Sequence, residues 1–482
     1  MNFRLIFRVM GFVLRCEAGL LALPALVSAV YGEWDMFLVF LGVIAFSLLA
    51  SGLMLLKKPS SMHLQAREGF FAVAMTWIVL ACVGAFPFYF SGYFQGYIDC
   101  VFEAMSGFTT TGSTILTEVE SLPKGILFWR SFTHWVGGMG ILVFVLGIMP
   151  NMDPSSIQLM KAESPGPAPG KLVPKLKDTA RLLYTIYFVM TAVQILLLCM
   201  VGMPFYDSVI HAMGTAGTGG FSSRNLSVGA YNNVPAEMII AVFMLLFGVN
   251  FNIYYMTLRR QWNGIKENEE LRWYLIVVGT SILLIMWNIL PMCSSVWEAF
   301  RYSSFQVSSI ITTTGYGTAD FNLWPSLSRN ILVVLMIVGA CAGSTGGGIK
   351  VSRLIILFKS LKREISRVLH PNLVKRVKME GRAISDEIVR NTLVFFFAYI
   401  LIVVFSILLV SLDGYDLVTS ATSVFATISN IGPGLELVGP VGNFSMFSGF
   451  AKLVLTFCML AGRLEIFPVL IVFSPRAWRR DF

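Results

Sequence analysis

The stretch FQVSSIITTTG at residues 305–315 decides the fold, because three other stretches align with it without a gap. They are FEAMSGFTTTG (102–112), IHAMGTAGTGG (210–220) and TSVFATISNIG (422–432). Each is a short apolar run that ends in small or hydroxyl residues and then a glycine. The endings are Thr110, Thr111, Gly112; Thr218, Gly219, Gly220; Thr313, Thr314, Gly315; and Asn430, Ile431, Gly432. Four copies of one loop can form a ring, and a ring of backbone oxygens can replace the water around a bare cation.

Outside these blocks the chain reads as an all-α membrane protein. Hydrophobic residues make up 56% of it and charged residues only 13%, far below the usual quarter. Apolar runs of transmembrane length lie near 5–31, 34–56, 70–92, 126–149, 183–203, 236–257, 273–292, 329–358, 390–411 and 447–473, which predicts ten spans. Arg4 and Arg8 precede the first run as in a signal peptide. A small-residue cleavage site is lacking and a second apolar run follows at once, so the first run reads as a retained span.

The net charge of +9 is not a nucleic-acid footprint. With a cytoplasmic amino terminus, the segments 57–68, 150–181, 259–272, 353–390 and 475–482 are also cytoplasmic. Together with Arg4 and Arg8 they hold 27 of the 36 Lys and Arg, against five in the external segments (Lys124, Arg130, Arg224, Arg301, Arg329). That is the positive-inside bias, and it puts both termini on the cytoplasmic side. The basic segments meet anionic lipid or an acidic partner, and no nucleic acid is expected. Seven scattered cysteines show neither zinc spacing nor a disulfide framework.

Each glycine block lies between two spans, at the end of a run too short to cross the bilayer, such as 97–108 or 297–311. The repeating unit is therefore a span, a re-entrant half-helix, an irregular loop and a second span. Irregular backbone survives at membrane depth only where it lines a water path or is buried in protein. The expected divisions are a peripheral helix pair (1–67), pore repeat 1 (68–150), a linker with repeat 2 (151–260), repeat 3 with a glycine-rich loop (261–358), and a basic linker with repeat 4 (359–482). Residues 161–177 are rich in Pro and Gly and read as extended.

The chemistry follows from the loop residues. Thr313, Thr314, Gly315, Tyr316 and Gly317 stand one substitution from the TVGYG strand of potassium-channel filters. Glycine reaches backbone angles that let successive carbonyls face an axis. Half-helices descending from outside point their partial negative carboxyl ends at the mid-membrane cavity. No carboxylate occupies the ring positions, which suits a large monovalent ion better than calcium or magnesium. External acids at Asp99, Glu118, Glu120, Asp320 and Glu436 could concentrate cations at the mouth. His134 and His211 read as hydrogen-bonded packing residues. Arg15 and Glu17, in the first span, read as paired with neighbours or lipid headgroups.

On these motifs the chain resembles the Trk/Ktr/HKT superfamily of cation uptake proteins, and within it the bacterial TrkH type, over essentially its whole length. The resemblance implies that Gly112, Gly220, Gly315 and Gly432 form a potassium filter with the residues before them. A serine in the first loop goes with sodium preference in that family, and Gly112 matches the potassium-permeable type. The sequence at 430–433, Asn430 to Pro433, departs most from the pattern. The resemblance further implies potassium as the transported ion in a bacterial inner membrane, and no organic cofactor is expected in the chain.

Two further signatures fit the resemblance. GACAGSTGGGIK at 339–350 places five glycines in ten residues inside a predicted span, which should break a helix. A Walker A loop is excluded, because Lys350 does not directly follow the last glycine and no Ser or Thr follows it. The stretch reads as an unwound gate below the filter, carried by Gly343, Gly346, Gly347, Gly348 and Lys350. Arg463, in the last span, reads as a guanidinium beside the pore that repels a cation lingering there. Lys452 reads as reaching water near the outer end.

The family also implies a homodimer seated on a TrkA-like ring of cytoplasmic nucleotide-binding subunits. Two rival readings are open: a proton- or sodium-coupled symporter with alternating access, and a membrane enzyme, for which no Ser/His/Asp, HExxH or paired-carboxylate cluster is present.

Overall fold

Prolines and short polar side chains set where the helices begin. The computed structural model describes residues 2–56, 66–140, 176–372 and 376–474. Ser295, Asp416 and Ser448 each accept a hydrogen bond from the backbone N–H three residues on, and so start Val296–Ile311, Leu417–Ile428 and Gly449–Arg463. Pro123, Pro204 and Pro325 hold the chain extended just before Lys124–Gly138, Phe205–Gly217 and Ser326–Val338. Among the described residues the only sheet is the hairpin of Lys378–Met379 and Arg382–Ala383.

Among the described residues six helices are long and apolar enough to cross a membrane: Phe3–Val30, Trp34–Leu55, Glu68–Phe90, Arg181–Met200, Glu269–Met292 and Asp386–Asp413. Val234–Phe247 and Phe251–Leu258 form a seventh only as a pair bent by 90°. Of the ten predicted runs, 329–358 is interrupted at its glycines, as expected from the sequence, whereas 236–257 and 447–473 are interrupted where hydropathy gives no sign. The run at 329–358 divides into Ser326–Val338, an irregular loop and Val351–Leu369, where the glycines cost helix stability. The run at 447–473 divides into Gly449–Arg463 and Phe467–Phe473, with Glu465 and Ile466 left-handed between them. Hydropathy averages side chains and does not register such backbone breaks. The run at 126–149 holds Lys124–Gly138, and its end at 141–149 lies outside the described residues, as do 161–175 of the Pro- and Gly-rich linker.

Between these breaks one element order recurs: a long leading helix, a short buried helix, a loop and a closing helix. The short helices are Tyr97–Phe108, Phe205–Gly217, Val296–Ile311 and Leu417–Ile428. At 12–16 residues none can cross a bilayer. Each closing helix packs on the short helix of the following unit. Lys124–Gly138 lies against Phe205–Gly217, Val234–Phe247 against Val296–Ile311, and Ser326–Val338 against Leu417–Ile428. Gly449–Arg463 returns to Tyr97–Phe108, which closes the circle.

Two ion pairs reinforce this order. Glu237 of a closing helix meets Arg301 of the next short helix at 2.9 Å. Lys452 meets Asp99 at 2.6 Å across the closing seam. Lys452 therefore does not reach water: it is buried and paired. The amino-terminal helices pack on each other, and Phe3–Val30 lies on Ala66–Gly84 and Lys124–Gly138. Glu17, expected to pair, is fully buried against Gly84 instead.

Candidate functional site

All four short helices end in the same way. Thr110, Thr218, Thr313 and Asn430 take φ of +56°, +55°, +59° and +56°. Each donates its N–H to the carbonyl three residues back, and the next residue donates to the carbonyl five residues back. That pair of bonds is a Schellman motif, whose left-handed position usually holds glycine. Here it holds three β-branched threonines, for which such a backbone is strained. Strain repeated at equivalent positions marks them as selected for something other than ending a helix.

Two residues further on come the glycines, with φ of +81° at Gly112, +77° at Gly220, +86° at Gly315 and +100° at Gly432. A Cβ on Gly112 would strike the Gly219 carbonyl. One on Gly220 would strike the Thr314 carbonyl, and one on Gly315 the Ile431 carbonyl. On Gly432 it would stand 3.0 Å from the Thr111 oxygen. Each loop thus abuts the next in chain order, and the fourth abuts the first. The structure brings all twelve of the residues singled out above into this one ring, buried except for the partly exposed Gly112, Gly220 and Gly315.

Side chains brace the ring from behind. The hydroxyls of Thr109 and Thr111, and of Thr312 and Thr314, are paired at 2.8 Å. Asn430 Nδ2 donates to Thr111 Oγ1 and to the Met459 carbonyl, both at 2.9 Å, so the most divergent loop ties the first to the last. Tyr316 donates to the His211 carbonyl at 3.1 Å. His134 contacts the Gly107 carbonyl at 2.8 Å and accepts from Phe221 N–H. His211 contacts the Asp207 carbonyl and Ser222. Both histidines are hydrogen-bonded packing residues, as read from the sequence.

On one side of the ring lies a cavity of about 90 Å³ lined by all four glycines and by Arg130 and Arg224. The acids expected to draw cations there are largely engaged already. Asp99 holds Lys452, Glu120 holds Arg224, Glu436 holds Arg329, and Asp320 caps Asn322 N–H. Three of the five acids thus share their charge with a cation. From the sequence Arg130 counts only as an external charge, and Glu103 goes unremarked. They form a buried pair at 2.7 Å, and Arg130 lies over the Phe221 ring and donates to Thr114 Oγ1 at 3.2 Å, tying loop one to loop two. A lone charge within an apolar run demands a partner, so Arg130 and Lys452 were findable in principle.

On the other side the glycine-rich loop presses against the ring. Gly347 N–H donates to Thr313 Oγ1 at 2.6 Å, and a Cβ on Gly347 would strike the Ser429 carbonyl. Lys350 Nζ curls back onto the Gly346 carbonyl, closing the loop on itself. Cys341 and Gly343 exchange backbone bonds with Gly248 and Phe251, at the bend of the second closing helix. Arg463 reaches the same place. It donates to Thr345 O at 3.2 Å, to Gly138 O at 2.7 Å and to Gly137 O. It therefore satisfies the orphan carbonyls of one helix end while contacting the loop. Gly343, Gly346, Gly347, Gly348, Lys350 and Arg463 all converge beneath the ring. Arg353 pairs with Glu465 close by.

Comparison with known proteins finds full-length relatives. The model of the TrkH family, described as cation transport protein, matches residues 36–480. The Trk system potassium uptake protein TrkH of Salmonella typhimurium is 38% identical over 99% of this chain and 100% of its own. The protein TrkG of Escherichia coli K12 is 33% identical over 99% of both. The crystal structure of the potassium transporter TrkH from Vibrio parahaemolyticus superposes with a TM-score of 0.88 at 32% identity, covering 99% of this chain and 100% of that one.

Proposed function

From the chain's membership of the TrkH family of cation transport proteins, we propose that it takes up potassium through a pore on the axis of the four glycine loops. The observation that carries this reading is the closed circle in which each filter glycine faces the carbonyl before the next. Left-handed glycines alternate with left-handed Thr or Asn, a backbone that can turn successive carbonyls toward an axis and stand in for a hydration shell. Four non-identical units then make one pseudo-fourfold conductor, with the amino-terminal helix pair outside it. The carboxyl ends of four short helices point their partial negative charge at the ion path. A negative membrane potential favours entry by ~2.3 kcal/mol per 100 mV.

The glycine-rich loop serves as the gate, and Arg463 sets a positive charge beside it. The basic face of Val351–Leu369 and the hairpin that follows it carry Lys362, Arg363, Arg367, Lys378 and Arg382. This face suits an acidic regulatory partner on the cytoplasmic side, which for this family is a nucleotide-binding ring beneath a homodimer. The protein sits in the bacterial inner membrane with both termini inside.

The decisive experiment is rescue of growth at low potassium in cells lacking their own uptake systems, with each of the four glycines replaced in turn. Loss of rescue at any of Gly112, Gly220 and Gly315 is expected; retention at all three removes the ring from the path. Single-channel recording separates pore from carrier. Unitary steps above roughly 10⁵ ions per second outrun the μs–ms motions of alternating access.

A further inference from the structure

One carboxylate holds both ends of the glycine-rich loop. Glu270 is buried, and its Oε1 accepts the N–H of Ala342 at 2.7 Å and that of Ser352 at 3.1 Å. Gly343, Gly346, Gly347, Gly348 and Lys350 all lie between those two residues. Ser352 stands in the first turn of Val351–Leu369, whose own N-cap, Lys350, supplies no side-chain acceptor. Glu270 therefore caps that helix from a different segment, where the helix dipole favours a carboxylate.

We propose that Glu270 is the latch of this loop: a positioning residue that holds it closed across the ion path until both amides are released. The inference rests on the reading of the loop as a gate and names what keeps it shut. The geometry separates Glu270 from the other contacts: Gly248, Phe251 and Arg463 each hold the loop at one point, whereas Glu270 bridges its two ends. Lys350 to Gly346 is internal to the loop and travels with it. Gly347 to Thr313 is the occluding contact itself. Glu270 belongs to the first turn of Glu269–Ile289, a helix fixed against Val296–Ile311 and Ser326–Val338. A loop leaving the ring swings Ala342 relative to Ser352, and a single oxygen cannot follow both. The latch also faces the cytoplasmic surface through its chain neighbours. Glu269 pairs with Lys359, and Asn268 donates to Glu380 of the hairpin at 2.6 Å. A partner that moves the hairpin thereby pulls on the residues next to the latch.

The test uses the full chain in liposomes, with potassium flux as one readout. The second readout is modification of Cys341, buried in this loop, by a charged methanethiosulfonate reagent, with the other cysteines replaced by alanine. Glu270→Ala is expected to raise flux and to speed Cys341 modification roughly tenfold, the worth of a charge-assisted hydrogen bond, with the potassium-to-sodium ratio unchanged. Glu270→Gln keeps an acceptor oxygen without the charge and falls between. Parental flux and parental labelling in both variants overturn the latch, and so does slower labelling with reduced flux. Should Glu270→Ala fail to fold, Glu270→Gln decides by the same two readouts. If the parental chain carries no potassium, the transport reading fails, while Cys341 modification still reports on the latch.

Discussion

At the scale of single residues, the ring constrains glycine twice, through a positive φ and through a carbonyl where a Cβ would stand. The four sites are not equal. Gly112, Gly220 and Gly315 have no room at all, whereas Gly432 leaves the Thr111 oxygen 3.0 Å away. Gly→Ala at the first three should abolish rubidium flux, while Gly432→Ala should keep a measurable part of it. Equal loss at all four would mean that backbone strain, not collision, sets the cost. The threonines carry the opposite trade. Thr110→Gly relieves about 1 kcal/mol or more of left-handed strain and should raise Tm, yet loosen discrimination against sodium. Arg463 reaches three carbonyls with a planar fork. Lysine offers a point charge without that reach, so Arg463→Lys should leak nearly as much as Arg463→Ala in a liposome flux assay.

At the scale of elements, the closing helices matter most where they break. The bend after Phe247 and the loop after Val338 dock on each other through backbone bonds, and the break after Arg463 sets Glu465 beside Arg353. Broken helices carry unsatisfied backbone groups, which cost several kcal/mol each in a membrane; here each break supplies partners for another. The glycines of the loop permit its close seating under the ring. Gly347→Ala places a methyl against the Ser429 carbonyl and should push the loop away. Flux is expected to rise without loss of ion preference, in contrast to substitutions in the ring. A fall in flux would argue that the loop conducts rather than occludes.

At the scale of the whole molecule, closure depends on contacts between residues hundreds of positions apart. Lys452 and Asp99 join the last closing helix to the first short helix, and Asn430 reaches Thr111 across the same seam. Removing one member of a buried ion pair strands the other, at about 3–5 kcal/mol. Asp99→Ala should therefore lower Tm by several degrees in detergent, and the double exchange Asp99→Lys with Lys452→Asp should recover part of it. Failure of the exchange to recover anything would show that the pair does not act as a unit.

The sequence by itself determined the helical membrane character, the four blocks and their glycines, and the glycine-rich interruption. These are local: hydropathy, chain spacing and the conformational range of glycine are properties of short segments. It also pointed to Arg463 as a charge needing an interior place. Only the tertiary structure decided that the blocks abut in chain order, that the runs at 236–257 and 447–473 are also broken, and that Lys452 and three of the expected acids, Asp99, Glu120 and Glu436, are spent on ion pairs. Glu270 illustrates why. In the sequence it is one acid of a pair at a helix start, and nothing nearby in the chain reveals that Ala342 and Ser352 deliver their amides to it. Partners of a buried charge are chosen by packing, and packing is a property of the assembled chain.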